Sequence, residues 1–269
     1  MEKYSVLMSL YIKEKPEYLR LAVDSMLNQT VKPDEIVIVE DGPLTDALYA
    51  VLDEYGDKIT RIRNEENLGL GLALNAGLKA CRNELVARMD TDDISKPERC
   101  EEQLHYFEQH PETDIVGGDI AEFIGDESNI VGKRVVPQSN EEIREYMKKR
   151  CALNHVSVMY KKSSVQTAGG YQDWFWNEDY YLWIRMWLNG TVFGNTGTVL
   201  VNVRTGEEMY QRRGGKKYFK SEKGLQDYML EHRMIDFGTY AMNVSKRFIV
   251  QEMLPNSVRG WVFRKFARS

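Results

Sequence analysis

Cysteine is scarce in this chain: Cys81, Cys100 and Cys151 are the only three, far apart and without a C-x-x-C. That excludes a disulfide framework and a thiolate zinc site, and it fits a reducing compartment. Long apolar runs are missing as well. No stretch of about 18 apolar residues occurs, so no membrane-spanning helix is expected, and the opening "MEKYSVLMSLYIKEKPEY" lacks a signal peptide's apolar core. Positive charge is not in excess. With 36 Lys and Arg against 41 Asp and Glu the net charge is −5, which argues against nucleic acid as a partner. Two phosphate-binding signatures are also absent. G-x-x-x-x-G-K-[ST] occurs nowhere, and "NLGLGLALNAG" misses G-x-G-x-x-G because Leu74 stands at the third glycine. Internal repeats and low-complexity segments are lacking too. What remains is a chain of 269 residues, 42% hydrophobic, long enough for one large α/β domain with a helical appendage and expected in the cytoplasm.

Apolar strands alternate with amphipathic helices through the first 112 residues. Strands are expected at 4–11, 34–42, 59–64 and 84–90, and helices at 16–29, 45–55, 71–81 and 96–110. This pace implies βαβ units and a Rossmann-like, doubly wound, mostly parallel sheet, which binds ligands at the carboxyl ends of its strands. After Asp114 the pattern changes: 113–124 and 129–137 read as a small antiparallel insertion, 154–160 and 198–204 as strands, and 177–190 as a helix. The expected division is a catalytic domain over 1–209, with halves meeting near 112/113, followed by a basic loop and C-terminal helices over 210–269.

The segment "VARMDTDDISKPER" ends an apolar strand in three carboxylates, Asp90, Asp92 and Asp93. Such crowding is unfavourable unless a cation sits among them. Helix capping does not explain them, since Ser95 and Glu98 form an S-x-x-E capping box with Pro97 in the first turn. A calcium loop starting at Asp90 fails because Ile94 stands at a ligand position and Ser95 at the obligatory glycine. A solvated acidic turn and a site for Mg²⁺ or Mn²⁺ remain. Asp-x-Asp in extended chain places both side chains on one side, and hard oxygen ligands suit these cations, whose open positions take phosphate oxygens.

Downstream, "WNEDYYLWIRMW" offers two acids in the first turn of a helix with Asn177 as expected N-cap. Dipole compensation alone would account for them. Spacing separates the two: Asp179 shares a face with Leu182, Trp183 and Met186, where burial would tune it as a base, and Glu178 lines up with Arg185 as an orienting partner. Trp174 and Trp176 precede the pair, as sugar-stacking or as core residues. "QRRGGKK" is either a solvated basic loop or a flap in which Arg212 or Arg213 closes over a diphosphate. In the tail, Val258, Trp261, Val262 and Phe266 form a helical stripe flanked by Arg259, Arg264, Lys265 and Arg268. Its partner is an anionic membrane surface or the protein's own body.

The blocks "VLMSLY", "LRLAVDSMLNQT", "DEIVIVEDGP", "NLGLGLALNAGL", "RMDTDDISKPER", "GGY", "NEDYYLWIRM" and "QRRGG" occur in an order that resembles the family 2 glycosyltransferases of the GT-A fold. The resemblance is to bacterial enzymes that build capsular and exopolysaccharide repeat units, the amylovoran-type group included. It implies a nucleotide-sugar donor, a UDP-sugar by family habit, and a saccharide or lipid-linked saccharide acceptor. It implies a nucleotide pocket of Ser9, Leu10, Tyr11, Lys13, Asp41, Asn67 and Asn75, with Asp41 on the uracil or ribose. Asp90 would contact ribose or sugar and share the metal with Asp92, Asp93 would stand beside them, and His155 would contact acceptor or metal. Asp179 would then be the base of a single inverting displacement. Pro43 stands where many members carry a serine, which removes a hydroxyl from that position. Two other classes share parts of this pattern: a metal-dependent nucleotidyltransferase, which would need an early glycine-rich loop that "SLYIKEKPEY" lacks, and a non-catalytic sugar-nucleotide-binding protein, which would need no base.

Overall fold

The structure, a computed structural model, describes residues 2–206 and 215–253. Arg212, Arg213 and the stripe from Val258 to Phe266 lie outside the described residues.

The first strand, β1 (Tyr4–Leu10), is apolar on both faces and feeds two cores. Val6, Met8 and Leu10 join one and Leu7 the other, the period of two that a strand imposes. β2 (Glu35–Glu40), β3 (Thr60–Arg63) and β4 (Leu85–Met89) extend it in parallel, in the order β3-β2-β1-β4. The connecting helices α1 (Pro16–Leu27) and α2 (Asp46–Tyr55) cover the first core, and α3 (Leu70–Ala80) covers the second. The sheet is therefore doubly wound, as the alternation of elements predicts.

Contact between α3 and the sheet is so close that a Cβ on Gly77 would fall 2.4 Å from Leu7 Cδ1 and 2.6 Å from Val39 Cγ2. That glycine in "NLGLGLALNAG" serves packing. G77A is expected to cost about 1–3 kcal/mol through overpacking, read as a lower denaturant midpoint. An unchanged midpoint would mean that α3 can move away from the sheet.

The second half adds β5 (Ile94–Ser95), α4 (Arg99–Gln109), β6 (Ile115–Phe123), β7 (Ile130–Arg134), α5 (Asn140–Met147), β8 (Met159–Lys161), α6 (Lys162–Thr167), α7 (Glu178–Leu188) and β9 (Phe193–Arg204). The sheet continues β4-β8-β6-β9-β5, with β7 on β6, so it runs unbroken across the expected division near 112/113. β8 is antiparallel to both β4 and β6, which restores β6 and its parallel neighbour β9 to the direction of β1–β4. The carboxyl ends of β1, β2, β4, β6 and β9 thus share one edge.

Three local expectations need correction. The pairing of 113–124 with 129–137 is antiparallel as expected, but β6 is no insertion: it is a central strand between β8 and β9, and β7 alone of the hairpin lies off the main strand order. Residues 154–160 are mostly not strand: His155–Ser157 form a 3-10 turn, closed by the Ser157 amide and hydroxyl on the Asn154 carbonyl at 2.8 and 2.9 Å. Ser95 and Glu98 do not form a capping box. Ser95 pairs with Val201 in the sheet, and α4 is capped from outside by Gln29, whose Oε1 accepts the Cys100 amide at 3.0 Å. A genuine capping box, Ser139 with Glu142, opens α5 instead.

Helices α8 (Lys216–Glu231) and α9 (Phe237–Phe248) follow, and Leu225 and Met229 of α8 join the second core together with Trp183 of α7. Among the described residues no helix is long and apolar enough to cross a membrane.

Candidate active site

The three aspartates stand at the carboxyl end of β4, with potential ligand oxygens within 4.8 Å of one another. Part of the positive charge they need is inside the same segment. Arg88, 2% exposed, forks Asp90, donating from Nη1 to Oδ2 at 2.6 Å and from Nη2 to Oδ1. One guanidinium does not balance three carboxylates. Burial, then the charges of Asp90 and Glu14, push Asp92 up to about 7, and burial with the neighbouring Asp92 raises Asp93. Asp93 Oδ1 accepts the Arg204 amide at 2.7 Å. The Arg204 side chain donates to the Asp92 carbonyl at 3.1 Å and lies over Tyr18 and Phe123, with its guanidinium carbon 3.8 and 4.6 Å from the two ring centroids. The carboxyl end of β9 thereby fixes the aspartate loop. Crowded oxygen donors raised by burial and then by one another's charge fit a hard divalent cation such as Mg²⁺ or Mn²⁺.

Ser9, Tyr11 and Lys13 lie where β1 runs out into this edge, with Tyr11 and Lys13 exposed. Leu10 is placed differently. Its side chain is fully buried in the first core, because the strand's alternation turns it inward, and only its carbonyl faces the site, accepting the Asp41 amide at 2.8 Å. Asp41 is buried at the end of β2. Its Oδ1 accepts from Asn64 Nδ2 at 3.0 Å and the Leu68 amide at 2.9 Å, and its Oδ2 accepts the Gly69 amide at 3.0 Å. It therefore pins the loop that opens α3. Asn67 reinforces that pin through Nδ2 to the Asp41 carbonyl at 3.2 Å. Gly42, at φ +85°, passes this loop so closely that a Cβ would meet the Asn67 amide nitrogen at 2.7 Å. Asn75 is not poised for a nucleotide. Its amide is spent on Tyr171, donating to the carbonyl at 2.6 Å and accepting the amide at 2.8 Å.

Because β8 runs against β4, the His155 turn also lies at the carboxyl edge, where the Arg88 amide donates to the Val158 carbonyl at 2.9 Å. His155 Nε2 and the Tyr171 hydroxyl are 2.8 Å apart, and burial together with Arg88 holds the imidazole neutral. The acid pair opens α7 at Asn177, whose side chain does not cap the helix but donates to Ser221 Oγ at 3.0 Å. Both acids are half-buried. Glu178 packs beside Gly71 of α3 and feels Arg88 and Asp90, whereas the charge of Asp179 reaches Cys151 and Tyr171. Arg185 turns away from Glu178 to the carbonyls of Ala168 and Gly170, the latter at 2.7 Å. Trp174 is a packing residue: it stacks near Tyr181 and donates from Nε1 to the Ser221 carbonyl at 3.0 Å. Trp176 is exposed.

Burial, then Asp179, pushes Glu178 up to about 7. Between pH of about 4.5 and 7 the folded chain holds a proton that the unfolded chain has released, so this carboxyl's contribution falls as pH rises through that window. E178Q is therefore expected to stabilise the protein by about 2 kcal/mol at pH 8 and hardly at all near pH 4.5. Denaturant titrations at the two pH values measure this, and equal shifts at both would refute it.

Reading the sequence missed Arg88, Arg204 and Tyr171. Arg88 had a signal: an arginine inside an apolar strand, two positions before an aspartate, shares that residue's side of the chain. Tyr171 stands in the quoted block "GGY", which marks the position without a role; Arg204 had no signal, since its partners Asp92 and Asp93 lie more than a hundred residues away.

The "Glycosyl transferase family 2" model matches residues 5–174. The chain is 42% identical to the amylovoran biosynthesis glycosyltransferase AmsE of Erwinia amylovora, over 87% of this chain and 88% of that protein. It is 36% identical to the UDP-Gal:alpha-D-GlcNAc-diphosphoundecaprenol beta-1,3-galactosyltransferase of Escherichia coli, over 99% and 97% of the two. Its fold is that of the mannosyltransferase PcManGT from Pyrobaculum calidifontis, solved with GDP-Man and Mn²⁺. That match has a TM-score of 0.64 and 12% identity, and it covers 100% of this chain and 76% of the other. The sheet is thus that of a GT-A enzyme, and the chain belongs to glycosyltransferase family 2.

Proposed function

We propose that this glycosyltransferase moves a sugar from a UDP-sugar to a hydroxyl of a lipid-linked saccharide, with inversion at the anomeric carbon and with Mg²⁺ or Mn²⁺ bound at the aspartates. The observation that carries this reading is the cluster of Asp90, Asp92 and Asp93, electrostatically joined through Arg88 to Glu178, the first of the two acids that open α7. The choice of UDP and of a lipid-linked acceptor is supported by the Escherichia coli relative, whose name specifies both.

Asp92 would hold the cation, aided by the second oxygen of Asp93, whose first is committed to Arg204. Asp90, a double acceptor on Arg88, would contact the ribose or sugar of the donor. When bound, the cation supplies Lewis-acid stabilisation of the leaving diphosphate. Asp179 takes the proton of the acceptor hydroxyl as that oxygen attacks the anomeric carbon from the face opposite the diphosphate. Glu178, pushed up to about 7 by burial and then by the charge of Asp179, stands beside it in the first turn of α7.

Calorimetric titration with UDP, GDP and dTDP, each with and without Mn²⁺, tests the donor reading. Metal-dependent binding of UDP alone is the expected result, followed by UDP release from a UDP-sugar that quickens when a diphosphate-linked saccharide is added. Binding that ignores the metal, or favours GDP, would overturn it.

A further inference from the structure

Trp176 is displayed rather than packed. It is 50% exposed and held at φ +56°, a left-handed backbone that a bulky residue adopts only when its surroundings impose it. Its neighbours do impose it, through one serine of α8. Trp174 Nε1 donates to the Ser221 carbonyl at 3.0 Å, the Ser221 hydroxyl donates to the Phe175 carbonyl at 2.6 Å, and Asn177 Nδ2 donates to the Ser221 hydroxyl at 3.0 Å. The Trp176 ring lies nearly flat on Phe175, centroids 4.7 Å apart and planes 16° apart. Lys217 Nζ sits 3.9 Å from the Phe175 centroid. Backbone strain and an exposed apolar ring are both unfavourable for the fold, and they coincide in one residue two positions before the acid pair.

We propose that Phe175, Trp176 and Lys217 form an acceptor subsite that reads a sugar ring together with a phosphate or diphosphate ester at its reducing end. The exposed indole face takes the C–H face of the sugar, and the lysine, a compact charge close to the same platform, takes the phosphate oxygens. The inference rests on the proposed transfer to a saccharide acceptor and adds which residues recognise that acceptor.

The test uses two probes carrying the same alkyl chain: an N-acetylglucosamine diphosphate ester and the neutral N-acetylglucosamine glycoside. Binding of each to the full chain is measured by saturation-transfer NMR with UDP and Mn²⁺ present. W176G is expected to weaken both probes at least tenfold, to leave UDP affinity unchanged within twofold, and to melt no lower than the wild type, because glycine accepts φ +56° without strain. K217Q is expected to weaken the diphosphate probe at least threefold and leave the glycoside unaffected. W176G binding both probes as the wild type does, or a wild type that binds UDP but neither probe, overturns the subsite. K217Q weakening both probes equally, or neither, overturns the phosphate contact. Failure of the wild type to bind UDP is a different result: it removes the donor reading, and this subsite with it.

Discussion

Asparagine in place of Asp179 is expected to lower kcat about a thousandfold while UDP binding stays within twofold of the wild type. A positioned general base contributes roughly 10²–10⁴ in rate, and the substitution removes only the basic oxygen. The shape is kept: Asp179 Oδ1 accepts the Tyr180 amide at 2.7 Å, and the asparagine carbonyl oxygen can do the same. A lost fold therefore cannot imitate a lost base. Steady-state kinetics at saturating donor give the answer, and a kcat within fivefold of the wild type would remove Asp179 from the chemistry.

The neighbouring acid gives this result a pH signature. Glu178 and Asp179 are consecutive in the first turn of α7, and each charge raises the cost of the other. With Glu178 pushed up to about 7 by burial and then by Asp179, wild-type kcat/KM should rise with pH through that region as Glu178 ionises and its charge strengthens the neighbouring base. E178Q removes that ionisation, so this limb should disappear from the profile.

How much of this was legible in the sequence depends on how local each signal is. The strand–helix alternation of the first 112 residues depends on neighbours in the chain, and it is the alternation the sheet has; the three aspartates, also a local signal, do stand together at the carboxyl end of β4. Gln29 capping α4 was not, because its partner Cys100 lies 71 residues away and no local pattern marks it. Asn75 resembled a nucleotide contact, yet it serves the backbone of Tyr171, 96 residues on. Spacing puts Asp179 over the apolar side of α7, yet the helix N-terminus, with Glu178 beside Gly71 of α3, leaves both acids half-buried. Periodicity tells which side of a helix is apolar. It does not tell what stands at the helix end.

Asparagine at Asp92 should separate function from stability by sign. In the metal-free protein Asp92 is a half-buried carboxylate that feels the charges of Asp90 and Glu14, with Arg88 offsetting them at some remove. Neutralising it relieves like-charge repulsion, so D92N without metal is expected to melt about 2–4 °C higher than the wild type. Adding Mn²⁺ should reverse the order. A cation that binds only the folded state stabilises it by mass action, and the wild type gains this whereas D92N has lost the ligand. UDP affinity in Mn²⁺ should fall at least a hundredfold in D92N, to the level of the wild type in chelator. An aspartate serving the fold alone would behave in the opposite way, lowering stability when replaced and leaving the response to Mn²⁺ intact. Melting curves with and without Mn²⁺, run on both proteins, therefore decide between a metal ligand and a structural acid without any assay of sugar transfer.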